Sequence, residues 1–298
     1  MAKKRDIIIA VVIAATFFIT IGFFGLMFVG LMSESGDSPW GGFGTKVAIV
    51  EVYDGIYDSK STIKQLKKWG ESNSVSAIVL DINSPGGGIA PSQEIYNEIL
   101  RIREEDNKVV VSSMSSVAAS GGYYIACASD VIMANPGTIT GSIGVILSYP
   151  TAGELFNKIG VKYETVKSGE LKDVGSLDRN MTANERKMLS DMVMDSYEQF
   201  VEAIVAGRGM EKEDVYRLAD GSIYSGRQAY YNGLIDTLGG FEDAVRLAAE
   251  LAGISGKPQT VKDFIPEKGI FDLMGGVLKS VGQVTSKGGL GPEILYLY

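Results

Sequence analysis

The chain has 298 residues, 45% of them hydrophobic, and a formal charge of -8. That is enough apolar material for a sizeable core, and the wrong sign of charge for a nucleic-acid binder. It holds no histidine and one cysteine, Cys127, so a Ser-His-Asp triad, a Cys-His pair, a histidine-ligated zinc site and an intramolecular disulfide are all excluded. Proton transfer must fall to carboxylates, lysines or tyrosines.

Residues 7–32 carry no charge. About 26 residues at roughly 1.5 Å each exceed the ~30 Å hydrocarbon core, so the pattern predicts an uncleaved transmembrane anchor. Lys3, Lys4 and Arg5 precede the span and Glu34 and Asp37 follow it, which puts the basic tip 1–6 in the cytoplasm and the rest of the chain outside. A cleaved signal peptide is the rival reading, but the run is too long for an ordinary apolar region and no clear A-x-A site follows. Residues 33–44, "SESGDSPWGGFG", read as a linker.

Beyond the linker, strand and helix patterns alternate. "KVAIVEVYDGI" predicts a strand, "KSTIKQLKKWGES" a helix, "VSAIVLDINSPGGG" a buried strand ending in a glycine turn, and "PSQEIYNEILRIREED" a second helix. "KVVVSSMSS" is again strand-like, Ser120 opens a short helix, and "DVIMANP" returns as a strand. Repeated βα units imply an α/β fold with a largely parallel sheet flanked by helices. Thr182 to Glu185 form a capping-box signature, and Leu189, Met192, Val193, Phe200, Val201 and Ile204 share one face of the helix that follows, an apolar stripe expected in the core. A folded domain is expected over 45–265, with a Gly-rich tail over 266–298 that ends in the apolar "ILYLY".

Two glycine-lined turns could carry chemistry. In "AASGGYYIAC", Ser120 sits between a strand and a helix, where free backbone N–H groups favour developing negative charge; the same pattern also fits a plain serine N-cap. In "DINSPGGGI", Gly86, Gly87 and Gly88 end a buried strand and could present N–H groups to a ligand or simply make a tight turn. Both fall at strand ends, where such sheets bind ligands. Cys127 is expected as buried packing, and Tyr123 and Tyr124 as core aromatics.

Together with these two turns, "GTITGSIGVI" at 137–146, "KSGELKDVGS" at 167–176 and "GRGM" at 207–210 make residues 45 to 240 resemble the signal peptide peptidase A family. These are membrane-anchored serine proteases of the Clp-protease/crotonase fold. The resemblance implies Ser120 as nucleophile, Lys172 as general base, Ser142 as the hydroxyl that orients the lysine, and the Gly87 and Gly121 N–H groups as the oxyanion hole. It also implies a single-copy chain in a ring-like homo-oligomer, in which neighbouring subunits could supply Ser120 and Lys172 of one site. No metal, nucleotide or other cofactor is implied. The chemistry requires Lys172 to be buried, because an ordinary lysine has a pKa near 10.4 and is protonated at neutral pH. Asp173 would oppose that shift and is expected to point away.

Rival readings differ in class. "STIK" at Ser61 to Lys64 with "KSG" at Lys167 fits a penicillin-binding or β-lactamase pattern, but no S-x-N element lies suitably between them. A crotonase-type acyl-CoA enzyme shares the fold, although an external domain would not meet acyl-CoA. A catalytically inactive membrane scaffold would not need both Ser120 and Lys172. The expected substrates are remnant signal peptides and other unfolded apolar segments at the outer face of a bacterial plasma membrane, bound by strand addition, with the bilayer engaged through 7–32. The apolar C-terminus has two readings: it docks on the protein's own core, or it enters the peptide groove.

Overall fold

Alternation of apolar residues along the strands decides the architecture. Strands β1 (Lys46–Tyr53), β2 (Val75–Ser84), β4 (Val109–Ala119), β5 (Val131–Ala134), β9 (Thr237–Leu238) and β10 (Gln259–Lys262) form a parallel sheet in the order β10-β1-β2-β4-β5-β9. One face presents Ala48, Val50, Ile78, Leu80, Val110 and Met114 to helices α1 (Lys60–Gly70), α2 (Ile89–Glu104) and α3 (Gly121–Ala126). The opposite face presents Val47, Ile49, Ala77, Val79, Val111 and Met133 to a helix at Phe241–Leu251. Each strand is thus apolar on both faces, as expected of a parallel sheet covered by crossover helices.

The structure is a computed structural model that describes residues 16–18, 20–22, 46–263 and 293–296. The chain divides into two compact units, Met1–Phe43 and Gly44–Tyr298. In the first, 16–18 and 20–22 are helical. The expected anchor over 7–32 and linker over 33–44 otherwise lie outside the described residues, among which no helix is long and apolar enough to cross a membrane.

Two short strands extend the sheet beyond the end of β4, and a second sheet lies apart from it. Strand β6 (Ile139–Gly141) runs parallel to the last residues of β4 and pairs antiparallel with β8 (Ile223–Ser225). A separate three-stranded sheet joins β3 (Gly87–Gly88), β7 (Ile146–Ser148) and β11 (Glu293–Tyr296), with β11 in the middle and antiparallel to both neighbours.

After β7 come α4 (Gly153–Ile159), a 3₁₀ turn at Glu170–Asp173, and α5 (Ala183–Arg208). The capping box at Thr182 and Glu185 is formed. Leu189, Phe200, Val201 and Ile204 of α5 are buried, but Met192 is exposed and Val193 only half-buried, so the apolar stripe is interrupted between Leu189 and the residues from Phe200 onward that join the main core. Two shorter helices follow, α6 (Lys212–Leu218) and α7 (Gly226–Tyr231), and Phe241–Leu251 is α8.

Candidate active site

The carboxyl ends of β2, β4 and β6 converge on the site. Ser120 follows β4 directly and precedes α3, with φ 52° and ψ -116°. A non-glycine residue at positive φ costs about 1–3 kcal/mol and persists only where its surroundings hold it. Here the Ser120 N–H donates to the Gly141 carbonyl at 2.8 Å, and the Ser120 carbonyl accepts from the Tyr124 N–H at 2.8 Å. The turn leaves Ser120 Oγ buried, without a hydrogen-bond partner among the described residues and not capping α3. An N-cap serine would spend its oxygen on the helix. This one does not, and a buried, unpartnered hydroxyl costs about 1–3 kcal/mol. Strain and an unsatisfied polar atom coincide on one residue.

Gly87 and Gly121 meet beside it. A Cβ on Gly121 would lie 2.6 Å from Ser92 Oγ and 3.3 Å from Gly87 N, so the two glycine turns touch through backbone. A Cβ on Gly87 would lie 2.3 Å from the Ile56 carbonyl. That carbonyl accepts from the Gly88 N–H at 2.8 Å, while the Ile56 N–H donates to Gly86 O at 2.9 Å. Ser92 Oγ donates to the Gly88 carbonyl at 2.9 Å. Ile56 and Ser92 therefore hold the glycine turn, and neither carries a motif from which sequence reading could have drawn it.

Ser142 occupies the matching position on the next strand. Ala119 pairs with Gly141, so Ser120 and Ser142 each follow a paired residue at adjacent strand ends. Ser142 is buried, has φ 49°, and its N–H donates to the Ser222 carbonyl at 2.8 Å.

Lys172 is not brought to Ser120 within one chain. It lies exposed on the 3₁₀ turn, and among the described residues its amine enters no hydrogen bond or ion pair. The burial that the chemistry requires is thus absent from the single chain. Asp173 does turn to other partners, since its carboxylate accepts from Arg179 at 2.8 and 3.1 Å and from Lys167 at 2.7 Å. The turn belongs to an excursion, 149–181, closed at its base by the Ala152 N–H donating to Leu177 O at 2.6 Å. Neither α4 nor the turn buries a residue, and Leu155, Ile159, Val161, Tyr163, Val166 and Leu171 are exposed along the excursion.

A strand-width slot runs past the glycines. β11 fills it, pairing Tyr296 with Gly87 and Leu295 with Gly88 on one side, and Ile294 with Leu147 and Leu295 with Ile146 on the other. Beside β7 lies a groove of about 370 Å³ lined by Leu147, Met181, Leu189, Val193 and Met194 among others. The exposed α5 methionine Met194 lines this groove.

The remaining sequence candidates separate cleanly. Ser61 and Lys64 are both exposed on α1, and Lys167 is committed to Asp173, so the penicillin-binding pattern gathers no site. Tyr123 and Tyr124 are buried in the core. Cys127 is buried too, and burial pushes its thiol up to about 12, so it holds neither thiolate nor access. Iodoacetamide is expected to leave Cys127 unmodified in the folded chain at neutral pH and to label it once urea unfolds the domain, as intact mass will show; labelling of the native chain would contradict this burial.

The α/β fold, a mostly parallel sheet with flanking helices, is that of the Clp proteases, whose family model matches residues 45–137. The class so defined is a serine peptidase. The chain belongs to peptidase family S49, the model of which matches residues 102–255. A Synechocystis protein provisionally named protease slr0021 is 44% identical over 211 residues, 70% of this chain and 75% of the relative. An Enterococcus faecium protein provisionally named signal peptide peptidase SppA is 43% identical over 189 residues, 63% of this chain and 55% of the relative. A Methanocaldococcus jannaschii protein provisionally named protease MJ0651 is 32% identical over 296 residues, 93% of this chain and 94% of the relative.

Proposed function

We propose that this serine protease is a membrane-anchored Ser/Lys endopeptidase that degrades remnant signal peptides and other unfolded apolar segments at the outer face of the plasma membrane. Ser120 Oγ attacks the peptide carbonyl carbon while its proton passes to the neutral amine of Lys172, which Ser142 orients. The Gly87 and Gly121 N–H groups receive the oxyanion, a single such donor being worth on the order of 3 kcal/mol. The C–N bond breaks as Lys172 returns the proton to the leaving amine, and water then hydrolyses the Ser120 ester. The observation that carries this reading is Ser120 itself, strained, buried and unpartnered beside the two glycines.

Substrate class follows from the slot. A peptide there adds a strand between β3 and β7, recognised through its main chain, and the apolar groove beside β7 suits small or apolar side chains. The span 7–32 would hold the site near the bilayer where cleaved signal peptides remain. Lys172 is best supplied by a neighbouring copy: it is exposed in one chain, and the apolar residues around it need a cover. Burial against that copy would favour the neutral amine.

The test is peptide cleavage by the purified full-length chain and by its Ser120→Ala and Lys172→Ala forms. Both substitutions are expected to lower kcat at least ~10³-fold with the fold retained. Wild-type turnover by either variant removes the dyad.

A further inference from the structure

The 3₁₀ turn that bears Lys172 is one short turn with no buried residue, so packing does not hold it. What does hold it is a chain of charges. Arg179 sends Nε and Nη2 to the two oxygens of Asp173 at 3.1 and 2.8 Å, a bidentate fork. Its Nη1 donates to Glu185 Oε2 at 2.9 Å and to the Asn180 carbonyl at 3.1 Å, and its Nη2 also donates to Glu185 Oε1. Lys167 closes the other end, donating to Asp173 at 2.7 Å and to the Glu170 carbonyl at 3.0 Å.

The anchor of this chain is firm. Glu185 is 1% exposed and accepts from the Thr182 N–H at 2.7 Å in the capping box of α5, whose last turns bury Phe200, Val201 and Ile204 in the main core. Arg179, then the Thr182 N–H, holds the Glu185 carboxyl down to about 2 from an ordinary 4.5, so the anchor is ionised at neutral pH and is lost only as pH falls between those values. A capping box explains Thr182 and Glu185. It does not explain an arginine that spends a bidentate fork on the residue next to Lys172.

We propose that Arg179 is a positioning residue for catalysis, coupling the buried Glu185 of α5 to Asp173 so that the Lys172 turn is presented in one geometry and the Asp173 charge is neutralised. This rests on Lys172 being the general base. Geometry sets kcat, because a displacement of about 1 Å at a catalytic group can cost ~10²-fold.

The experiment compares the full chain with Arg179→Ala, Arg179→Lys, Asp173→Asn and Lys172→Ala, by kcat and KM on one apolar peptide, with circular dichroism and assembly size as controls. Arg179→Ala is expected to lose ~10–100-fold in kcat with KM unchanged. Arg179→Lys, which keeps charge and loses the fork, should restore only part of kcat. Asp173→Asn breaks the same fork from its other side, so kcat should fall with KM unchanged; this variant decides the matter if Arg179→Ala does not fold. Wild-type kcat in a folded Arg179→Ala, or in Asp173→Asn, overturns the clamp. Wild-type turnover by Lys172→Ala overturns instead the assignment of the base, and the clamp with it.

Discussion

Ser120→Ala chains and Lys172→Ala chains, each inactive alone, are expected to recover about a quarter of wild-type activity when mixed in equal amounts, dissociated and reassembled. The arithmetic follows from a site built by two subunits. Half of the serine-bearing positions come from the Lys172→Ala chain, which still has Ser120, and half of their neighbours come from the Ser120→Ala chain, which still has Lys172. A dyad within one chain predicts no recovery at any mixing ratio. The physical ground is the contrast between the two residues: Ser120 is fully buried on a strained turn, whereas Lys172 stands exposed on an excursion lined with uncovered apolar side chains. A lysine left in water keeps its proton at neutral pH and cannot serve as a base. For Lys172 to act as the base proposed, something must bury it, and a neighbouring copy of the chain is the cover proposed. Size-exclusion chromatography of the mixture should show the same assembly as either parent, so that failure to recover activity would count against sharing and not against assembly.

How much of this was legible in the sequence depends on the range of the interaction involved. The parallel sheet could be read because its strands are apolar runs such as "VSAIVL", interrupted at regular spacing by helix patterns, and those are local signals. The two glycine turns were legible for the same reason, since glycine marks close backbone approach wherever it clusters. The strain at Ser120 was not, because serine reads equally as an N-cap; only the missing cap bond and the positive φ separate the two. Met192 lay on the expected helical face but is exposed, because the main core takes in α5 only from Tyr197 onward. Arg179 could not be singled out from "DVGSLDRNMTANE": it stands six residues from each of its carboxylate partners, a spacing without meaning in any regular element. The tertiary turn alone brings them together.

Deleting Ile294 to Tyr298 from the full chain is expected to raise kcat/KM on apolar peptides by about tenfold, mainly through a lower apparent KM. The reason is competition. β11 takes the middle of the three-stranded sheet, between Gly87–Gly88 and Ile146–Ser148, and this is the slot proposed for substrate. A tethered segment acts at an effective concentration of order millimolar, so even a weakly bound tail masks the site from dilute peptide. Leu295→Pro offers a second, subtler test. Proline removes one N–H and cannot sit in the middle of a paired strand, so the tail should leave the slot while the chain keeps its length. The two variants should therefore behave alike, and a synthetic peptide of sequence EILYLY added to the truncated chain should restore inhibition. Should both variants keep wild-type KM, the slot is not the substrate's path, and strand addition between β3 and β7 would have to be abandoned along with the self-inhibition.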